Sequence, residues 1–282
     1  MSTGSPVEHI VSKSQALIAQ VNAVRGELLV ISGAAGFPHR TLSGVRGFHF
    51  PGASVFECRA FAPSLAASDI IALTEDHCTP SGDWCARILN HFEGRPELVL
   101  LGGAVVNGSN NRIEDIMNYW MTFATYAPGQ VTARAPCIAQ YAFRKSAIAT
   151  NLRPGDLESQ VISDFAKVPG AICVDPEMQV THVQSHGFWG TVAAHYHNGR
   201  ACAGLFPAPK AGHITAHRAL SWTYTQLKGH LRHTGRAFAA GKNSVIVRAG
   251  YLVLIMPLIF AHGFGQVMGY LKGPGKSPSR VA

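Results

Sequence analysis

The sequence predicts an α/β fold with a mostly parallel sheet flanked by helices, followed by C-terminal basic and apolar helices. Three observations carry this expectation. Short apolar runs alternate with amphipathic stretches along the first half of the chain, and each run empties into a polar or glycine-containing loop. At 282 residues, 47% of them hydrophobic, the chain can bury a complete core with an appendage.

The elements follow in order. Ile10, Leu17, Ile18, Val21 and Val24 recur at helical spacing over residues 9–25. Glu27–Ile31 is a short apolar run, read as a buried strand, which ends at Ser32-Gly33. A strand near 47–50 precedes a helix over 57–67, and Ile70–Leu73 is a further buried strand delivering Thr74-Glu75-Asp76-His77 at its carboxyl end. A helix over 83–93, a strand at Leu98–Leu101 and a helix over 113–124 complete the alternation. Ligands of such sheets bind beyond the carboxyl ends of the strands, which is where Glu75–His77 would lie.

Composition narrows the partners. A formal charge of +8 favours nucleic acid, acidic lipid headgroups or a phosphate-bearing ligand. No basic stripe with stacking aromatics lies on the α/β body, so nucleic acid is set aside. Only 14% of residues are charged, which hints at contact with lipid. The six cysteines form no C-x-x-C pair and read as reduced thiols of a cytosolic body, with a zinc site as the lesser alternative, and the N-terminus shows no apolar leader.

The most informative stretch runs from Glu57 to Trp84: Arg59, then Ala62 and Ala66, a strand, and Glu75-Asp76-His77-Cys78-Thr79-Pro80 before Trp84. It resembles family 2 glycosyltransferases of the GT-A fold, in which an arginine-led helix precedes a strand ending in an acidic metal motif. The resemblance implies that Glu75, Asp76 and His77 hold a divalent cation bridging the diphosphate of a nucleotide sugar. Hard oxygen ligands suit Mg²⁺ or Mn²⁺, and His77 in place of an acid favours Mn²⁺. It also implies donor or acceptor contacts for Arg59, for Gly103 in Leu101–Asn107, for Gln140 in Gln140–Lys145, and for Arg200 in Asn198-Gly199-Arg200. Glu158, at the start of a helix after Gly155-Asp156-Leu157, falls on the register of the catalytic base. Asp156 is the reserve, with a helix N-cap as its other role. His182, closing Val174–His182, would complete the metal shell. Family members open with a strand and place a base-reading acid after the second one; here Met1–Glu8 precede the first helix and Ser32-Gly33 stand where that acid belongs.

After about residue 185 the pattern changes. The expected division is a GT-A-like domain over 1–200, a basic amphipathic helix with an apolar membrane-associated segment over 201–271, and a disordered basic tail over 272–282. His213–Phe238 alternates apolar groups with Arg218, Lys228, Arg232 and Arg236, as an interfacial helix does. The nearly continuous apolar run Ala249–Ala261 reaches spanning length only by including His262, Gln266 and several glycines, with Pro257 at its centre. A monotopic or re-entrant anchor is favoured over a single span, and a soluble helical pair is the third reading. The whole implies a metal-dependent inverting glycosyltransferase, membrane-associated with a cytoplasmic catalytic domain, that takes a nucleotide-sugar donor and a cell-envelope glycan or lipid-linked acceptor in polysaccharide biosynthesis. The alternative is a catalytically inactive GT-A-like module that binds an anionic membrane surface or a partner enzyme.

Overall fold

A computed structural model describes residues 17–34, 44–109, 112–129, 131, 135–148, 151–205, 216–240 and 245–281. The chain forms two compact units, Met1–Val106 with Ala133–His182, and Asn107–Thr132 with Val183–Val281.

The first unit is α/β. Helix α1 covers residues 17–23, so the earlier part of the expected 9–25 helix lies outside the described residues. Strands β1 (Leu28–Ser32) and β2 (Val45–His49) pair in parallel, Leu28 opposite Val45 through Ser32 opposite His49. Helix α2 (Val55–Leu65) starts on a capping box: Ser54 Oγ accepts from the Glu57 amide, and the Ser54 amide donates to Glu57 Oε2 at 2.7 Å. That fixed start sets the register that turns Arg59 inward, where it is 3% exposed. Strands β3 (Ile70–Thr74) and β4 (Cys78–Pro80), helix α3 (Trp84–Gly94), and strands β5 (Leu100–Asn107), β6 (Gln140–Arg144) and β7 (Ile172–His182) follow.

Five of these strands make one sheet in the order β3-β6-β5-β7-β4. It is mixed rather than mostly parallel: β6 runs antiparallel to both β3 and β5, and β4 antiparallel to β7. Strands β3 and β4 are joined by only three residues, Glu75–His77. Those two strands form opposite edges of the sheet. Were the sheet flat, its edges would stand roughly 19 Å apart at the usual strand spacing. The link from Thr74 to Cys78 spans at most about 15 Å fully drawn out, and it is folded into a turn by Cys78 N–H donating to Glu75 O at 3.0 Å. The sheet therefore curls until its edges meet at Glu75–His77, nearly closing on itself.

The core beneath joins Cys58, Ala62, Ile71, Leu100, Tyr141, Phe143 and Leu157 across α2, the sheet and the π-helical turn Leu157–Val161, which runs on into the short helix α5 (Ile162–Phe165). β1 and β3 do not pair; residues including Leu17, Val21, Ile31, Ala62, Ile71 and Ile88 line an apolar cavity of about 370 Å³ beside them.

The second unit is helical. Helix α4 (Ile113–Phe123) packs with α6 (Gly187–Leu205), α7 (Ala216–Ala240) and α8 (Val245–Lys272). Met117, Met121, Ile255, Leu258 and Ile259 form its buried cluster. The α6–α8 seam is built from small residues. A side chain at Gly265 would meet Tyr196 O at 2.1 Å, one at Gly269 would meet Arg200 O at 2.5 Å, and one at Gly199 would meet His262 O at 2.2 Å. The first unit thus ends at His182, before the boundary expected near 200, because α6 lays this face on α8. Residues 273–281, expected as a disordered tail, are ordered: Pro278–Arg280 form a 3-10 turn, and His197 Nδ1 lies 3.0 Å from Ser277 Oγ.

Helix α8 runs through Pro257 without interruption. Val253–Lys272 is long and apolar enough to cross a membrane, yet 44% of that window is buried within the protein. Val253, Phe260, Phe264 and Leu271 are exposed along one face of α8, and Leu220, Tyr224 and Leu231 are exposed on α7.

Candidate metal centre at the end of β3

Three local devices build the site. The turn Glu75–Cys78 bunches four side chains beyond β3, the pairing of Cys78 with His182 brings the last residue of β7 beside them, and Arg59 reaches in from α2. His77 Nε2 lies 3.0 Å from Glu75 Oε2 and 3.0 Å from His182 Nε2, and His182 Nε2 is 4.0 Å from Glu75 Oε2. Donor atoms of Glu75, His77, Cys78 and His182 all lie within 4.8 Å of one another.

Of the expected metal residues, Glu75, His77 and His182 thus converge. Asp76 does not join them: its Oδ1 is 3.1 Å from His77 Nδ1, on the far side of that ring. Cys78 is the residue the sequence reading passed over. Its place directly after the acidic motif was the available signal, but only the pairing with β7 shows that its sulfur reaches the cluster.

Arg59 is an organiser. Its Nη2 pairs with Glu75 Oε1, its Nη1 donates to Glu158 Oε1 at 3.1 Å, and Nη2 also donates to Ile138 O at 3.2 Å. Burial works against every charge here. It raises the Glu75 carboxyl, but the charge and hydrogen bond of His77, with Arg59 and His182, hold that group at about 2. It lowers His77, yet Glu75 and Asp76 lift the imidazole to about 10. It raises Glu158 beyond what Arg59 takes back. Glu75 and Asp76 thus place carboxylates on both sides of the His77 ring, counter-charge that a cation at the cluster would meet.

The donor set decides which cation fits. Two imidazoles and a thiol accompany a single carboxylate, which suits a borderline transition ion and not Mg²⁺, whose preference is for octahedral oxygen.

The remaining expected residues take structural roles. Gln140 is fully buried; its Nε2 donates to Ala104 O at 2.5 Å and Met178 O at 3.1 Å, while its Oε1 accepts from Trp84 Nε1 at 2.7 Å. A side chain at Gly103 would meet Met178 O at 2.0 Å, so this glycine permits β5 and β7 to approach. Neither is open to a donor or acceptor. Asp156 Oδ2 accepts from the Arg153 amide at 2.9 Å, closing the turn before the helix, and makes no capping hydrogen bond to the helix that follows, contrary to the expected N-cap. Arg200 belongs to the helical unit, where its Nε donates to Gly273 O at 3.2 Å.

No protein-family model matches the chain, and no curated protein matches it in sequence. Among solved structures, residues 1–349 of TarS from S. aureus are similar at a TM-score of 0.45 with 9% identity, over 94% of this chain and 88% of that one. A likeness of that size assigns neither a family nor an activity.

Proposed function

We propose that this protein is a metal-dependent inverting glycosyltransferase, moving a sugar from a nucleotide-sugar donor to a glycan or lipid-linked acceptor of the cell envelope at the cytoplasmic face of a membrane. The observation that supports this is the convergence of Glu75, His77 and His182 beyond the end of β3, where ligands of α/β sheets bind. A divalent cation held there would offset the charge that builds on a departing diphosphate. The chain's own groups do the rest. Asp76 and Arg59 orient the cation's ligands. Glu158 is assigned to take the acceptor's proton: burial raises its pKa, as suits a base working nearer neutrality, and its Oε2 has no hydrogen-bond partner among the described residues.

The test uses two variants. The double variant Glu75→Ala/His77→Ala should lose divalent-dependent nucleotide-sugar binding in calorimetry while its circular dichroism is unchanged; undiminished cation affinity would remove the assignment. Glu158→Gln should keep donor affinity while transfer falls on the order of 10²–10⁴-fold. Near wild-type transfer there, with loss in Asp156→Asn, would pass the role to Asp156.

One observation favours the second reading, an inactive GT-A-like module that binds a membrane or a partner enzyme. Ser32 is fully buried, and a side chain at Gly33 would meet Ala53 O at 1.9 Å, so the end of β1 has no room for a base-reading acid. Donor hydrolysis by the purified protein separates the two.

A further inference from the structure

The geometry points to zinc as the ion of this site, held by four protein ligands: Glu75 Oε2, His77 Nε2, Cys78 Sγ and His182 Nε2. This rests on the reading of the corner as a cation site and names its occupant. Ligands at about 2.0–2.1 Å from a tetrahedral zinc stand roughly 3.4 Å from one another. The nitrogen and oxygen donors here are separated by 3.0, 3.0 and 4.0 Å, which brackets that value without an ion to draw them in. The Cys78 thiol belongs to the same group of donor atoms, all within 4.8 Å of one another, and the residue is only 2% exposed.

Two of the ligands are also aimed from behind. Nδ1–H of His77 donating to Asp76 Oδ1 leaves the Nε2 lone pair directed at the cluster, the carboxylate–histidine arrangement that holds zinc ligands in the right tautomer. Arg59 occupies Glu75 Oε1 and leaves Oε2 as the single ligating oxygen. Cys78 and His182 are fixed as a pair by the β4–β7 register. On binding, the Cys78 thiol gives its proton to solvent and its sulfur lone pair to the ion, with no change of oxidation state. Four protein ligands hold the ion before any donor arrives and close its tetrahedral shell, so it would act on a departing diphosphate through its charge rather than by direct ligation. A hard ion carried in with the diphosphate would not behave so.

Full-length protein, purified without chelators or nucleotide, should contain about one zinc per chain by mass spectrometry. Exchanged into cobalt(II), it should show near-ultraviolet thiolate-to-cobalt absorption together with the visible bands of a tetrahedral ion. Cys78→Ser should lose the thiolate band alone. Asp76→Asn, which keeps all four ligands, should weaken zinc binding about 10–100-fold with the fold intact. Absence of zinc, with Mn²⁺ or Mg²⁺ binding only alongside a nucleotide sugar, would overturn the inference and leave the glycosyltransferase reading standing. A thiolate band that survives Cys78→Ser overturns the ligand set. Zinc bound in full by a protein with no affinity for any nucleotide sugar supports the inference and defeats that reading instead.

Discussion

Arg59 holds Glu75 and Glu158 on one guanidinium, and neither Arg59 nor Glu158 retains solvent to fall back on. Removing the arginine strands a buried carboxylate, a loss on the order of 3–5 kcal/mol when one partner of a buried pair is deleted. Arg59→Met should therefore lower the urea midpoint sharply, and the double variant Arg59→Met/Glu158→Leu should recover much of it. If Arg59→Met alone is neutral, the guanidinium does not organise the site. The glutamate partner is 99 positions away in sequence, which explains what could be read beforehand. Glu75, His77 and Arg59 were legible because their spacing is local to one helix–strand–turn. The roles of Gln140, Gly103 and Cys78 were not, because each is set by a neighbouring strand that only the topology supplies. A second charged residue gives a pH test away from the site. Burial raises Asp175, but His91, the Glu177 amide and Arg87 outweigh it and lower its pKa. A depressed folded value means that its stabilisation is complete above the ordinary carboxylate range and lost as pH falls through the folded value. Asp175→Asn should lower the melting temperature at neutral pH and flatten its decline in acid. A parallel displacement of the whole pH–melting curve would show that the ion pair carries no such linkage.

At the level of elements, the run of apolar positions made each strand and helix visible, but the partners were not. Strand β6 enters the sequence reading only as the segment Gln140–Lys145 with an implied donor or acceptor contact, yet it lies between β3 and β5 and reverses the direction of the sheet's middle. The glycines of the last helix counted against a spanning segment on composition alone. In the fold, Gly265-x-x-x-Gly269 is a stripe where α6 approaches, and Gly263 faces Leu227 and Thr223 of α7. Close backbone approach is a property of a pair of helices, so one helix's sequence could not declare it. Gly265→Leu must displace the α6 backbone around Tyr196, and overpacking of this kind costs about 1–3 kcal/mol, often more when backbone must move. Lower melting of the full chain is expected, with Gly229→Ala, which meets nothing within 4 Å, as the harmless control. Equal stability of the two variants would mean that the seam is not close-packed.

Over the whole molecule, we propose an anionic lipid surface as the partner, which the exposed apolar groups and the charge of +8 would both suit. Val253, Phe260, Phe264 and Leu271 follow one face of α8, the periodic stripe of a helix that lies on an apolar medium rather than one surrounded by it. The opposite face, bearing the glycines, is covered by α6, so a single isolated span is not what the packing prepares. Lodging a phenylalanine in the acyl boundary contributes about 1.5–3 kcal/mol, and basic side chains near acidic headgroups add roughly 1 kcal/mol each. Full-length protein should therefore float with phosphatidylserine vesicles far better than with neutral ones. Salt near 1 M, where the Debye length is about 3 Å, should reduce that binding without abolishing it. Phe260→Ser/Phe264→Ser should weaken flotation at both salt concentrations while leaving the melting temperature close to wild type, because both rings are more than 60% exposed. Flotation abolished by salt and indifferent to the two phenylalanines would reduce the contact to charge alone. Recovery of the full chain in the detergent-free supernatant at low salt, with no vesicle binding, would reject membrane association altogether.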